Sequence, residues 1–475
     1  MNHRKSKSIP IACVFLLLPC SSVAQQPQRP VLPDAPAAQL IAQAAQAPLS
    51  QSPATPQSEP QQQLQTPPAG PRLTLAEAEQ MALQHNPNIS IAHLLQLAQA
   101  QVVRETRAAI LPSAFGDLTA VGAHDNSRIT AGALNNPSIY DRAAGGLTVS
   151  QLITDFGRTH NLIRNAQSNA RAQLDLERAS AEDITLAVDQ AFYQALTAQS
   201  VLRVAQQTVA TRQATGDQIG ALTKNNLRST LDLSLANVQV SQAQLLVLDA
   251  QNASQVAMAN LNAILGAENF VEYDLVDNTP ATPAAPPVDV ETLVQLAIKA
   301  RPDLAALNDR SVAAKQFASA EHDLLRPTVS ALAAAGATPV RADQIESSWY
   351  GAAGANISIP VFTGFDYTAR GKEADLRAHA AAEQVRNLRD SVARDVRAAV
   401  LNAQAAFQRI DVSQQLLDQA NTALDLAQAR YKVGLSGIVD LTQSQLAQTQ
   451  AEITVANARY AYQTALAEVR FQTGQ

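Results

Sequence analysis

Proline is missing from two long runs of this chain: none occurs between Pro137 and Pro280, and none follows Pro360. A proline inside a helix removes a backbone hydrogen bond and clashes with the preceding turn, so only runs like these can hold very long helices. Residues 158–222, if helical throughout, form a rod of about 98 Å at roughly 1.5 Å per residue. That is far longer than the helices of an ordinary globular domain. Composition agrees: alanine is abundant and aromatics make up only 4% of the chain. Thin helices packed through small side chains fit this better than a large aromatic core.

The chain also repeats itself. Ala82, Pro87, Ile89 and Pro112 correspond to Ala297, Pro302, Leu304 and Pro327 at a constant offset of 215. Ser150, Ala166, Lys224, Leu227, Asp232, Leu233 and Gly266 correspond to Ser358, Ala374, Lys432, Leu435, Asp440, Leu441 and Gly474 at an offset of 208. One seven-residue length change between Pro112 and Ser150 reconciles the two registers. Shared Pro, Gly and Asp are not noise of an alanine-rich composition, so the pattern reads as duplication. Residues 71–277 form one repeat and 289–475 the other. The joint is residues 278–288, with Pro280, Pro283, Pro286 and Pro287.

Ahead of the repeats, residues 1–24 read as a secretory signal. Arg4, Lys5 and Lys7 precede the short apolar run Ile9–Leu18, and Ser22-Val23-Ala24 supplies small residues for cleavage. Both cysteines, Cys13 and Cys20, lie in this segment, so cleavage after Ala24 leaves no disulfide and no thiolate metal site. Lipidation at Cys20 is the alternative, with Pro19 a poor match to the small residue it requires. Residues 25–70 hold 10 Pro and 12 Gln and read as a flexible tether. No later stretch approaches the ~18 apolar residues of a membrane-spanning helix. Entry into a membrane then requires a closed β-barrel. The net charge of −6 argues against a nucleic-acid partner, which needs clustered Lys and Arg.

Within each repeat the pattern is helix, two short strands, then a very long helical pair. Thr74 and Glu77 make a capping box for the first helix, which pauses at Asn86-Pro87 and runs on to about Leu111. Val412, Leu416, Ala420, Ala423, Ala427 and Tyr431 step by 4, 4, 3, 4 and 4, and on the return arm Leu446, Thr449, Ile453, Ala456 and Tyr460 step by 3, 4, 3 and 4. Such spacing predicts coiled-coil seams between long helices. Between Pro327 and Gly364, Trp349, Ala353, Ala355, Ile357, Ile359 and Val361 fall on one strand face; Ala352, Asn356 and Ser358 fall on the other. Leu147, Val149 and Ile153 alternate with Thr148, Ser150 and Thr154 in the first repeat. Apolar-out, polar-in alternation over ~9–11 residues is the pattern of a transmembrane barrel strand, although soluble sheets share it. Four strands per chain are too few to close a barrel, which begins at about eight; three chains would give twelve.

These features resemble the outer membrane efflux protein (TolC-like) family over residues 72–475. The motifs that carry the resemblance are Asn86-Pro87, Leu111-Pro112, SQLITDFGR at Ser150–Arg158, ISIPVFTG at Ile357–Gly364 and ARYKVGLSGIVDL at Ala429–Leu441. The resemblance implies a mainly α fold in a homotrimer. Duplicated long hairpins form a periplasmic α-barrel, and four strands per protomer build a twelve-stranded β-barrel in outer-membrane lipid. It implies the passive exit duct of a tripartite efflux or type I secretion system, loaded by an inner-membrane transporter and a periplasmic adaptor, with no enzyme activity and no cofactor. At residue level it places Asp440 in an acidic ring at the closed tip, with Asp232 as the carboxylate that the tip tyrosine, Tyr431, holds. Val433-Gly434-Leu435 matches the hairpin tip that adaptors engage. Two departures stand out: the motif's arginine is Ser436 here, and a second acidic position is Gln443. Repeat 1 has Asn225-Asn226-Leu227 at its tip, so the two tips are expected to differ.

Physics beside that resemblance is simple. Three Asp440 side chains converging on one axis repel one another and attract cations; alone, Asp440 also reads as an ordinary solvent-facing or capping residue after a turn. Trp349 and Tyr350 fit either an aromatic girdle or a packed aromatic pair. The seven histidines are scattered, and no HExxH, G-x-S-x-G, Walker A or G-x-G-x-x-G sequence is present. Asn-x-Ser triplets at Asn88, Asn252 and Asn356 read as chance. The competing reading is a periplasmic coiled-coil adaptor or scaffold with a soluble β domain; one central hairpin would mark it, and this chain carries two.

Overall fold

The computed structural model describes residues 70–122, 141–280, 283–340 and 347–475. The predicted signal segment, and the tether apart from Gly70, lie outside them. The element order is β1 (Arg72–Leu73), α1 (Leu75–His85), α2 (Pro87–Ala108), β2 (Ser113–Val121), β3 (Arg142–Thr154), α3 (Arg158–Lys224), α4 (Thr230–Leu265) and β4 (Asp274–Leu275). It continues with α5 (Val290–Ala300), α6 (Pro302–His322), β5 (Thr328–Val340), β6 (Trp349–Ser358), α7 (Asp366–Lys432) and α8 (Ile438–Thr473). The α3 and α7 helices each have 67 residues, and α4 and α8 each have 36. At ~1.5 Å per residue the longer pair spans about 100 Å.

Local chemistry sets the short helices. The Thr74 Oγ1 accepts from the Glu77 N–H at 3.3 Å and Glu77 Oε2 accepts from the Thr74 N–H at 2.9 Å, completing the capping box. Asn86 caps α2 through the Asn88 N–H at 2.9 Å, with Pro87 at the first helical position. The helix stops at Ala108 rather than near Leu111. Pro112 pushes Leu111 out of helical backbone, and the intervening turn feeds directly into β2.

Two long hairpins, α3 with α4 and α7 with α8, pack side by side through α3 and α8. Gly371, Ala378, Val385, Val392, Ala399, Ala406, Ser413, Ala420 and Ala427 are all buried along α7, one every seven residues. Ala236, Ala243, Ala250 and Ala257 do the same on α4. A strict seven-residue repeat is the coiled-coil signature. The seam is narrower than the sequence suggested: Val412 and Leu416 are 64% and 51% exposed, and Leu446 is exposed as well. Alanine and serine fill the contact, so the helices approach closely and the larger apolar side chains are left outside it.

The strands form one antiparallel sheet in the order β2-β3-β5-β6. They are 9, 13, 13 and 10 residues long. Register places Ala114, Val149, Ala333 and Ala353 in one row and Leu147, Ala335 and Gly351 in another on the same face. Trp349 and Ile357 share that face, 70% and 62% exposed. On the opposite face Ser113 and Ser150 join hydroxyls at 2.7 Å, beside Thr148 and Asn356. The expected alternation therefore holds from Leu147 to Ser150 and within β6, but Ile359 and Val361 lie beyond β6, which ends at Ser358 ahead of Pro360. A register shift between Leu152 and Thr154 also sets Thr154, expected on the polar face, opposite Val329 on the apolar one. Tyr350 faces away from Trp349 and lies over Gly336 and Gly146: a Cβ on either glycine would fall within 2.6 Å or 2.2 Å of its ring or hydroxyl. Tyr350 is thus a packing aromatic, and Trp349 alone stands on the apolar face. Among the described residues, β2 and β6 each pair on one side only.

The largest apolar cluster lies where the short helices meet the middle of α3. It joins Leu73, Ala82, Val188, Phe192, Leu261 and Leu265 with Leu275 of the small parallel β1–β4 pair. In the second repeat smaller side chains do this work, Val294, Ala297, Val392 and Val396. No helix of the described residues is long and apolar enough to cross a membrane.

Candidate functional site at the hairpin tips

Each hairpin turns through one residue with left-handed backbone, Asn226 (φ 58°) and Gly434 (φ 77°), at equivalent positions of the two repeats. Glycine and asparagine are the residues that tolerate this conformation. The next amide then closes an identical bond, Leu227 N–H to Leu222 O at 2.9 Å and Leu435 N–H to Arg430 O at 2.8 Å. The two tips therefore share one backbone turn and differ in their side chains. Leu227, Val433 and Leu435 project into solvent, 68%, 70% and 75% exposed.

Returning helices begin differently. Ser229 caps α4, its Oγ accepting from the Asp232 N–H at 3.1 Å. Gly437 occupies the matching place before α8 and offers no side-chain cap. Asp232 and Asp440 both stand in the first turn of their helices, where the helix dipole favours a carboxylate. Neither is the cap itself. Asp440 is exposed, and its carboxylate makes no hydrogen bond among the described residues. Asp232 is half-buried.

Tyr431 closes the inner side of the tip. It is 6% exposed and packs with Ile219, Ala236, Ile438 and Leu441, so it bridges both hairpins. Its hydroxyl is buried without a hydrogen-bond partner; the expected bond to Asp232 is not formed within the protomer. Burial pushes its pKa up, the nearby Arg228 charge lowers it and Asp232 raises it further. The residue that does engage Tyr431 is Arg228, which sequence reading passed over. Arg228 donates from Nη2 to the Tyr431 carbonyl at 2.6 Å, and its guanidinium lies 4.1 Å from the ring centroid. Its equivalent is Ser436, at the offset of 208. That correspondence was the available signal: the motif's missing arginine stands at the same place in the other repeat.

Among the described residues no group of three or more His, Cys, Asp or Glu side chains is arranged to hold a metal ion. Two histidines are paired rather than idle: His93 with Glu177 at 2.8 Å and His322 with Asp375 at 2.9 Å.

The model of the outer membrane efflux protein family matches residues 79–267 and 293–475. Outer membrane protein TolC of Escherichia coli (strain K12) is 24% identical over 413 residues, covering 82% of this chain and 79% of that protein. TolC of Salmonella enteritidis is 30% identical over 121 residues, 26% of this chain and 25% of its own length. The match thus spans about a quarter of the Salmonella relative. A solved CusC structure superposes with a TM-score of 0.74 at 19% identity, covering 90% of this chain and 99% of CusC; at that identity the likeness concerns the fold.

Proposed function

Because this chain belongs to the outer membrane efflux protein family, we propose that it is a passive exit duct of the outer membrane. In this reading three copies assemble, an inner-membrane transporter and a periplasmic adaptor load the duct, and substrates leave through it. The observation that carries the reading is the open four-stranded sheet at one end of hairpins about 100 Å long. Among the described residues its outer strands β2 and β6 each have an unpaired edge, and one face is apolar and exposed. An unpaired edge cannot sit in lipid, because its backbone groups would have no partner there. Edges of sister copies satisfy them, and three sheets of four strands reach the twelve of a closed barrel.

At the other end, Asp440 of three copies forms an anionic ring that attracts cations. Asp232 stands beside the same constriction, and Tyr431 is packed behind it within each protomer. Val433, Gly434 and Leu435 are the exposed apolar knob on which the adaptor docks. The adaptor reading fits less well, since the strand segments are duplicated and no single central hairpin is present. Full-length protein purified in detergent and placed in planar bilayers tests the proposal. Trimers with small, cation-preferring conductance steps, enlarged by Asp440→Ala, are the expected result; a water-soluble monomer without conductance overturns it.

A further inference from the structure

We propose that Arg228 is the latch that ties the two hairpin tips of a protomer together, and that it acts on the ring face and main-chain carbonyl of Tyr431 rather than on the tyrosine hydroxyl. The inference rests on the exit-duct reading for its consequence, since a duct opens only if its hairpins separate at this end.

Three observations carry it. Arg228 sits in the turn between α3 and α4, while Tyr431 is the penultimate residue of α7, so the contact joins one hairpin to the other. The acceptor carbonyl belongs to the last turn of α7, where it also accepts from the Gly434 N–H at 3.1 Å and where the helix dipole favours a cation. A guanidinium donating there while stacked over a largely buried ring combines a charge-assisted hydrogen bond with a cation–π contact. The hydroxyl, by contrast, has no hydrogen-bond partner among the described residues.

The latch is also one-sided. Symmetry of the repeats would set Ser436 against Thr223, the equivalents of Arg228 and Tyr431. Instead the Ser436 hydroxyl is buried without a partner, and Thr223 bonds within its own hairpin, to Ile219 O at 2.9 Å. One arginine therefore supplies the only charged link between the tips among the described residues. It stands in the repeat opposite to the one that the family motif leads one to expect.

The mechanism makes an unusual set of variants diagnostic. Arg228→Ala loses both contacts and is expected to raise the open fraction of single channels roughly tenfold or more. Tyr431→Phe keeps ring and carbonyl and should stay within about twofold of the parent protein, because the hydroxyl does nothing in the latch. Arg228→Lys, with a compact ammonium in place of a planar fork, falls between. Tyr431→Leu loses the ring but keeps the carbonyl, so it should fall between the parent protein and Arg228→Ala, and the double variant should add little to Arg228→Ala. Amide hydrogen exchange on the same detergent-solubilised full-length protein reads the latch without any channel activity. Residues 219–236 and 427–441 should exchange faster in Arg228→Ala and unchanged in Tyr431→Phe, while the middle of the hairpins is unaltered. If Tyr431→Phe opens or exchanges like Arg228→Ala, or if Arg228→Ala leaves both readouts at parent values, the proposal is wrong. If the parent protein conducts nothing yet the exchange pattern appears, the duct reading fails and the latch stands.

Discussion

Arg470 reaches one carboxylate oxygen of Asp189, Nη2 to Oδ2 at 3.3 Å, and leaves the other, Oδ1, buried without a donor. Asp189 is 4% exposed, between α3, α1 and α8. Burial, followed by the neighbouring Glu79 carboxyl, pushes its pKa up to about 7, against the lowering effect of Arg470. Asp189 therefore holds its proton to higher pH than an exposed aspartate does.

That relationship fixes a pH dependence. The native state holds this proton more tightly than the unfolded chain, so the associated stability is complete below the ordinary aspartate range near pH 4. It declines as pH rises through about 7. Thermal melting of the detergent-solubilised protein should therefore fall between pH 5 and pH 8, by an amount on the order of a few kcal/mol at the site. Asp189→Asn should flatten this slope. A slope unchanged by the substitution would show that Asp189 is not its source.

Arg212 sits in the coiled-coil seam of α3, seven residues from the buried Ala205 and Ile219. It is 5% exposed, and burial alone lowers its pKa to about 10. No carboxylate or hydrogen-bond acceptor meets it among the described residues. Removing an uncompensated buried charge in favour of an apolar chain of similar length is stabilising, so Arg212→Met should raise stability by about 1–3 kcal/mol. Denaturant unfolding followed by circular dichroism checks it; a loss of stability contradicts the assignment.

The two hairpins end on glycines with left-handed backbone, Gly266 (φ 72°) and Gly474 (φ 70°). A Cβ on Gly266 would lie 2.5 Å from the His85 carbonyl oxygen, whereas on Gly474 the nearest atoms, on Ala300, are 3.1 Å away. Both Gly→Ala changes are strained by about 1 kcal/mol through backbone conformation. Gly266→Ala adds a collision with main chain and should lower the melting temperature clearly more than Gly474→Ala does. Equal effects would remove the packing argument.

Ala333 and Ala334 are neighbours in β5 on opposite faces, Ala333 beside Val149 and Ala353, Ala334 beside Thr148 and Ala352. Arginine on the lipid side of a barrel near its middle costs about 2–4 kcal/mol. Ala333→Arg should reduce membrane-inserted trimer in outer-membrane fractions, and Ala334→Arg should not. The reverse ranking would invert the assignment of faces.

Much of this architecture could be read from residues alone because its rules are periodic or local. Missing prolines permitted the 67-residue helices, Thr74 with Glu77 and Asn86 with Pro87 fixed helix starts, and alternation around Val149 and Ile357 separated the two strand faces. The repeated Gly266 and Gly474 are explained by one steric fact, the approach of a hairpin end to the cap of a short helix. Tip chemistry was legible only in part. Asp440 and Tyr431 stood out by motif, yet the partner of Tyr431 did not, because a contact between residues 203 positions apart leaves no trace in local spacing.

Sequence by itself determined which segments become rods, which become strands, and that two similar halves follow one another, since backbone sterics and side-chain periodicity act over a few residues. Tertiary structure alone decided which alanines face inward and which leucines are left outside, that the Tyr431 hydroxyl meets no hydrogen-bond partner among the described residues, and that burial pushes the pKa of Asp189 up. Burial and electrostatics depend on what the fold brings within a few ångströms, and no stretch of chain carries that information on its own.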